Sequence, residues 1–165
     1  MIRHHGRHPE RRKHPRFPVV GGLIEPISLR YVPECRRPAA KAAAPVRSQP
    51  AILTNLSAGG MSLITFVEPP HAKRLEMDLN LPGLNHVPLV ARVVRMHQKG
   101  ETYNVGIQFT SISRRNQLQI NLMAADHMDC ETRIALSLPE ACVPACRFHP
   151  LCHKPQKAPH WPPKV

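Results

Sequence analysis

Aromatic side chains are scarce here, with one Trp, two Tyr and four Phe in 165 residues. That weighs against a stacking platform for single-stranded nucleic acid, which is built from such rings. Acidic residues are also few, 11 against 23 Lys and Arg, leaving a net charge of +12. A surface so charged attracts polyanions or anionic ligands, without choosing among RNA, a phosphorylated small molecule and an acidic protein. No apolar run reaches membrane-spanning length, and Met1-Ile2-Arg3-His4-His5 leads into charge rather than an apolar signal segment. A cytoplasmic protein without membrane insertion is therefore expected. Five cysteines, an odd number, argue against a disulfide scaffold. No nucleophile–base–orienter set, paired carboxylates, P-loop or dinucleotide fingerprint is present, so no enzyme is expected.

What the chain does have is proline, nineteen of them, concentrated outside the periodic region. Three stretches follow from this. Residues 1–16 form a basic, apolar-poor arm carrying Arg3, Arg7, Arg11, Arg12, Lys13 and Arg16, which has little to bury until a ligand orders it. Residues 17–125 hold the periodic signal. Residues 126–165 are a Cys/His/Pro-rich tail with no element long enough to make its own core.

Within the middle stretch, short alternating segments recur. Phe17-Pro18-Val19-Val20 leads in, and Ile27–Tyr31 alternates apolar and polar residues. Pro38–Pro45 is an Ala-rich excursion bounded by prolines. Ala51–Thr54 then runs into a turn at Asn55, and Gly60–Ile64 leaves it. Leu75–Leu81 alternates strictly and ends at Pro82-Gly83. Val87–Met96 and Tyr103–Phe109 complete the series, with Val105, Ile107 and Phe109 inward. Short antiparallel strands in succession are more easily closed than left with bare edges. The expected fold is all-β, a small six-stranded antiparallel barrel. The period then lengthens: Ile112, Leu118, Leu122 and Ala125 approximate a helical face, with Ser113 as N-cap.

Two motifs carry chemistry. Arg12 and Arg16 form RxxxR on the arm, whereas the alternative register Arg7-x-x-x-Arg11 lies farther from the first strand. A guanidinium fork can read the O6/N7 edge of guanine or pair with a phosphoryl oxygen. Asn55-x-Ser57-x-Gly59-Gly60 supplies an amide, a short hydroxyl and backbone N–H groups open to close approach, a composition suited to a ligand oxygen. Each motif has a plainer reading, a solvated basic arm and a self-satisfied β-turn respectively.

In this order, with these strands around them, the motifs resemble those of the PilZ domain, a bacterial receptor module for cyclic di-GMP. Arg12 and Arg16 match its RxxxR, and Arg11 completes a double-arginine start. Asn55, Ser57 and Gly60 match its (D/N)xSxxG. Val90–Arg95 and Tyr103–Phe109 are similar to its later strands, followed by a C-terminal helix. The resemblance spans roughly residues 10–125, with a long interval from Arg16 to Asn55 and Asn in place of the commoner Asp. It implies a six-stranded β-barrel that binds cyclic di-GMP through Arg11, Arg12, Arg16, Asn55, Ser57, Gly59 and Gly60, without catalysis, and passes the signal to a downstream protein partner. Two alternatives stay open: a PilZ-like interaction module that binds no nucleotide, and a basic nucleic-acid-binding barrel.

The tail offers Cys142, Cys146, His149 and Cys152, donor types and number that suit a tetrahedral zinc site. Cys130 reads instead as a satellite core residue.

Overall fold

The computed structural model describes residues 13–19, 51–69, 74–138 and 141–154, and the backbone alone of 26–31 and 47–50. The strands are β1 (Phe17–Pro18), β2 (Pro26–Tyr31), β3 (Arg47–Ser57), β4 (Gly60–Thr65), β5 (Leu75–Leu81), β6 (Leu84–Lys99) and β7 (Thr102–Ile112). Helix α1 (Arg114–Ala135) follows, and one 3₁₀ turn (His149–Leu151) lies in the tail.

All pairings are antiparallel. They run from β3 through β2, β5, β6 and β7 to β4, and β4 pairs back onto β3. The six longer strands thus make the expected barrel-like ring, and β1 adds two residues to the β3 edge beyond β2.

Alternation sets the core. On β5, Leu75, Met77, Leu79 and Leu81 are buried while Asp78 and Asn80 are exposed, the period of a sheet with one face in the core. Val87, Leu89 and Ala91 of β6 and Val105, Ile107 and Phe109 of β7 join them, as expected. The β5–β6 hairpin turns at Pro82-Gly83, where Gly83 takes φ +83°, a conformation that costs glycine nothing.

Two expectations are corrected. β3 does not stop at Thr54 but continues to Ser57, so Asn55 is a strand residue and the turn is Ala58-Gly59. The reason is a register shift between Leu53 and Asn55. It breaks the period-2 pattern without ending the strand. The helix likewise does not fade at Asp126 but reaches Ala135, and its buried residues are Ile120, Met123, Ala124 and His127. Leu118 and Ala125, expected inward, are exposed. The N-cap is as expected: the Ser113 hydroxyl accepts the Asn116 N–H at 3.2 Å.

The tail contributes to the same core. Ala141, Phe148 and Leu151 are buried, Phe148 and Leu151 within the main apolar cluster.

Candidate functional site

Strand β1 brings the two motifs together. Phe17 pairs with Leu56 and Pro18 with Asn55, and the Val19 N–H donates to the Thr54 carbonyl at 3.0 Å. Extending that register by one residue sets Arg16, which is exposed, alongside Ser57. Two residues back along the chain, the His14 ring lies over the hairpin turn. A Cβ built on Gly59 would stand 2.9 Å from His14 Cδ2. The segment Lys13–Arg16 therefore crosses the turn of the second motif. Arg11 and Arg12 lie outside the described residues.

The hairpin uses much of its own chemistry. Ser57 is buried, and its hydroxyl donates to the Gly60 carbonyl at 3.0 Å. The Gly59 carbonyl accepts the Phe109 N–H at 3.0 Å. Gly60 has no room for a side chain, since a Cβ would fall 2.2 Å from the Ile107 carbonyl oxygen. In this conformation the Ser57 hydroxyl closes the hairpin and Gly60 seats it against β7, while half-buried Asn55 sits beside Pro18 where the arm crosses. The sequence gives these three residues one common role; the structure places Ser57 and Gly60 inside the hairpin and Asn55 at its half-buried edge.

A residue row completes the surface. Gly60 pairs with Gln108 on β7, and Gln108 pairs with Arg92 on β6. The Arg92 guanidinium donates through Nε and Nη2 to Gln108 Oε1 at 3.0 and 2.8 Å. Ser57, Gly60, Gln108 and Arg92 thus lie in one line across three neighbouring pairings, with Arg16 at the near end. Arg92 lies within the Val90–Arg95 segment similar to a later PilZ strand, and it is exposed. Its alternation signalled exposure, but nothing local signalled its alignment with Gly60. The arrangement presents a pinned guanidinium on the sheet and an exposed one on the crossing segment, suited to an anionic ligand laid over the hairpin.

Behind the arm is an aromatic cluster. The Phe17 ring, with no exposed surface, meets Phe148 edge-on at 5.4 Å and His127 at 6.4 Å, and His127 meets Phe148 edge-on at 4.6 Å. Burial holds the His127 imidazole below its ordinary pKa; Lys154 pushes the same way and Glu131 opposes. The Lys154 ammonium hydrogen-bonds Glu131, which keeps that carboxyl below the usual range.

The structure groups the tail cysteines differently from the sequence expectation. Cys142, Cys146, His149 and Cys152 line one cavity of about 270 Å³, but Cys130 of α1 lines it too rather than serving as a satellite core residue. Among the described residues no group of three or more His, Cys, Asp or Glu is arranged to hold a metal ion, so the zinc expectation is not supported. Burial pushes the Cys130 and Cys146 thiols up. Among the described residues no helix is long and apolar enough to cross a membrane.

The sequence matches the PilZ domain over residues 10–125, well over half of the chain. This chain belongs to the PilZ domain family. Among solved structures it is similar to the Bacillus subtilis inhibitor of motility MotI/DgrA, with 16% identity and a TM-score of 0.50 over 72% of this chain and 52% of that one. It thus spans about half of the MotI/DgrA chain. It is also similar to Escherichia coli YcgR in two structures. The PilZ domain of YcgR with c-di-GMP gives 16% identity and a TM-score of 0.45 over 78% of this chain and 99% of that one. YcgR in complex with c-di-GMP gives 17% and 0.48 over 77% and 50%. At such identities the likeness concerns the fold. No curated protein matches the sequence significantly.

Proposed function

We propose that this PilZ chain is a noncatalytic cytoplasmic receptor for cyclic di-GMP, which rests on the Asn55–Gly60 hairpin and is held by the arginines of the arm. The observation that carries this reading is the crossing of the two motifs, His14 on Gly59 and β1 paired to Asn55 and Leu56. Arg16 reaches a guanine edge or a phosphoryl oxygen from the crossing segment, and Arg12 would extend the grip. Arg92 adds positive charge from the sheet. Ligand binding covers the hairpin and the arginines beside it, and so changes the surface offered to a downstream protein partner.

The test is calorimetric titration with cyclic di-GMP, beside GMP and GTP as controls, at two salt concentrations. Saturable binding at micromolar or lower concentration, selective for the cyclic dinucleotide, is expected. Absence of heat at low salt would end the reading. A nucleic-acid-binding barrel would instead bind RNA or DNA with a steep salt dependence and discriminate poorly among guanine nucleotides.

One observation favours a second reading. The Ser57 hydroxyl and Gly60 are both engaged within the hairpin, so the second motif can persist as a folding device in an interaction module that binds no nucleotide. Partner capture indifferent to both cyclic di-GMP and Arg16→Ala would identify that case.

A further inference from the structure

The arm is fastened less by β1 than by what lies behind it. Strand β1 has two residues, and one of them, Pro18, has no N–H to donate. Backbone pairing alone holds so short an edge weakly. Phe17, the residue directly after Arg16, is nevertheless wholly buried, and two of its ring neighbours are His127 of α1 and Phe148 of the tail. Both lie beyond residue 125, where the family match ends. The tail is itself tied to α1. The Arg147 N–H donates to the Asp126 carboxylate at 2.6 Å, and Lys154 pairs with Glu131. Leu151, one turn past Phe148, is buried in the core.

We infer that the C-terminal segment 141–154 is a clasp for the ligand-binding arm, in which Phe148 and His127 are positioning residues that fix Phe17 and through it Arg16. This rests on the cyclic di-GMP reading for its consequence, though not for its geometry. With the clasp closed, the arm is already laid along the Asn55–Gly60 hairpin, and the ligand does not have to organise it. With the clasp open, only a fraction of molecules hold the arm in place, and apparent affinity falls by that fraction. Whatever docks or releases the tail then sets the sensitivity of the receptor.

Two variants of the full chain loosen the clasp by different routes. Phe148→Ala removes the ring, with Phe148→Leu to restore most of its volume. Asp126→Ala removes the acceptor of the Arg147 N–H without touching the core, with Asp126→Asn to restore an acceptor. The first readout needs no ligand: the rate of tryptic cleavage at the Arg16–Phe17 bond, followed by mass. Both loosening variants should raise it about tenfold at unchanged overall fold, and both conservative partners should reverse most of the rise. The second readout is the cyclic di-GMP titration, expected to weaken about tenfold in step. In an Arg16→Ala background the same changes should cost less than twofold more, because a misplaced arm without its arginine has little left to lose.

Unchanged cleavage in folded Phe148→Ala and Asp126→Ala would overturn the clasp. So would affinity losses that add in full to that of Arg16→Ala. Should Phe148→Ala fail to fold, Asp126→Ala decides. Should the wild-type chain bind no cyclic di-GMP, the receptor reading falls, and the cleavage rates alone judge the clasp.

Discussion

The His14 ring rests on Gly59 so closely that a methyl group there would meet His14 Cδ2 at 2.9 Å. Some forty-five residues separate the two in sequence, and the contact is what turns a basic leader and a polar hairpin into one surface. Gly59 serves here as a floor for an imidazole, and Gly60 as a close approach to the Ile107 carbonyl.

The two adjacent glycines should therefore respond differently to alanine. Gly59→Ala meets the edge of a half-buried side chain that can turn away, and should change stability by no more than about 0.5 kcal/mol. Gly60→Ala drives a methyl group against backbone and should cost roughly 1–3 kcal/mol. Thermal melts of both variants check the contrast, and equal destabilisation would contradict it.

Ser57→Ala separates a folding role from a ligand-binding one. It removes the buried hydrogen bond to the Gly60 carbonyl, at an expected cost of about 0.5–1.5 kcal/mol of stability. If the hydroxyl only closes the hairpin, cyclic di-GMP affinity should change less than twofold once the variant is folded. A larger affinity loss than stability loss would return Ser57 to the ligand.

His127 makes stability depend on pH. Burial lowers its pKa in the folded chain below the ordinary value of 6.5, Lys154 adding to the shift and Glu131 opposing it. The unfolded chain therefore takes up its proton first as pH falls. The contribution is complete above about pH 6.5, declines as pH drops from there toward the folded-state pKa, and is lost below it. Urea denaturation between pH 5 and 7.5 should show this decline. His127→Gln should flatten it, and an identical slope in the variant would contradict the assignment. The groups facing the imidazole are the Phe17 and Phe148 rings, Lys154 and Glu131.

Arg92 should matter to the ligand but not to the fold. Its guanidinium is exposed and held by Gln108, so Arg92→Ala should leave the melting temperature within about 2 °C. Cyclic di-GMP affinity should fall several-fold, less than for Arg16→Ala, and more steeply at low salt. Unchanged affinity at low salt would remove Arg92 from the site.

The strands were legible wherever one face is buried and the other wet. Leu75–Leu81 alternates as read, because each inward residue meets the same core. Asn55 was misplaced for a physical reason: the shift between Leu53 and Asn55 moves Leu56 onto the buried side. The alternation stops while the pairing continues. In α1 the apolar letters misled. Leu118 is exposed, while buried His127 completes the true spacing of Ile120, Met123 and Ala124. A histidine counted as polar hides that face.

The motif residues stand out in the sequence, but which distant segments lie beside them does not. That depends on pairings between distant segments, Phe17 with Leu56 and Gly60 with Gln108, which no local pattern encodes. The tail was the least legible part. Phe148 and Leu151 are core residues only because α1 and β1 supply the rest of their surroundings. Without those partners, the number and type of Cys and His donors alone suggested a metal.

The most direct measurement is a side-by-side calorimetric titration of the wild-type chain and Arg16→Ala with cyclic di-GMP. Micromolar or tighter binding by the wild type is expected, weakened in the variant by about 1.5–3 kcal/mol, the worth of a charge-assisted hydrogen bond, with the melting temperature unchanged. Equal affinity in the two proteins would contradict a site shared between the arm and the Asn55–Gly60 hairpin.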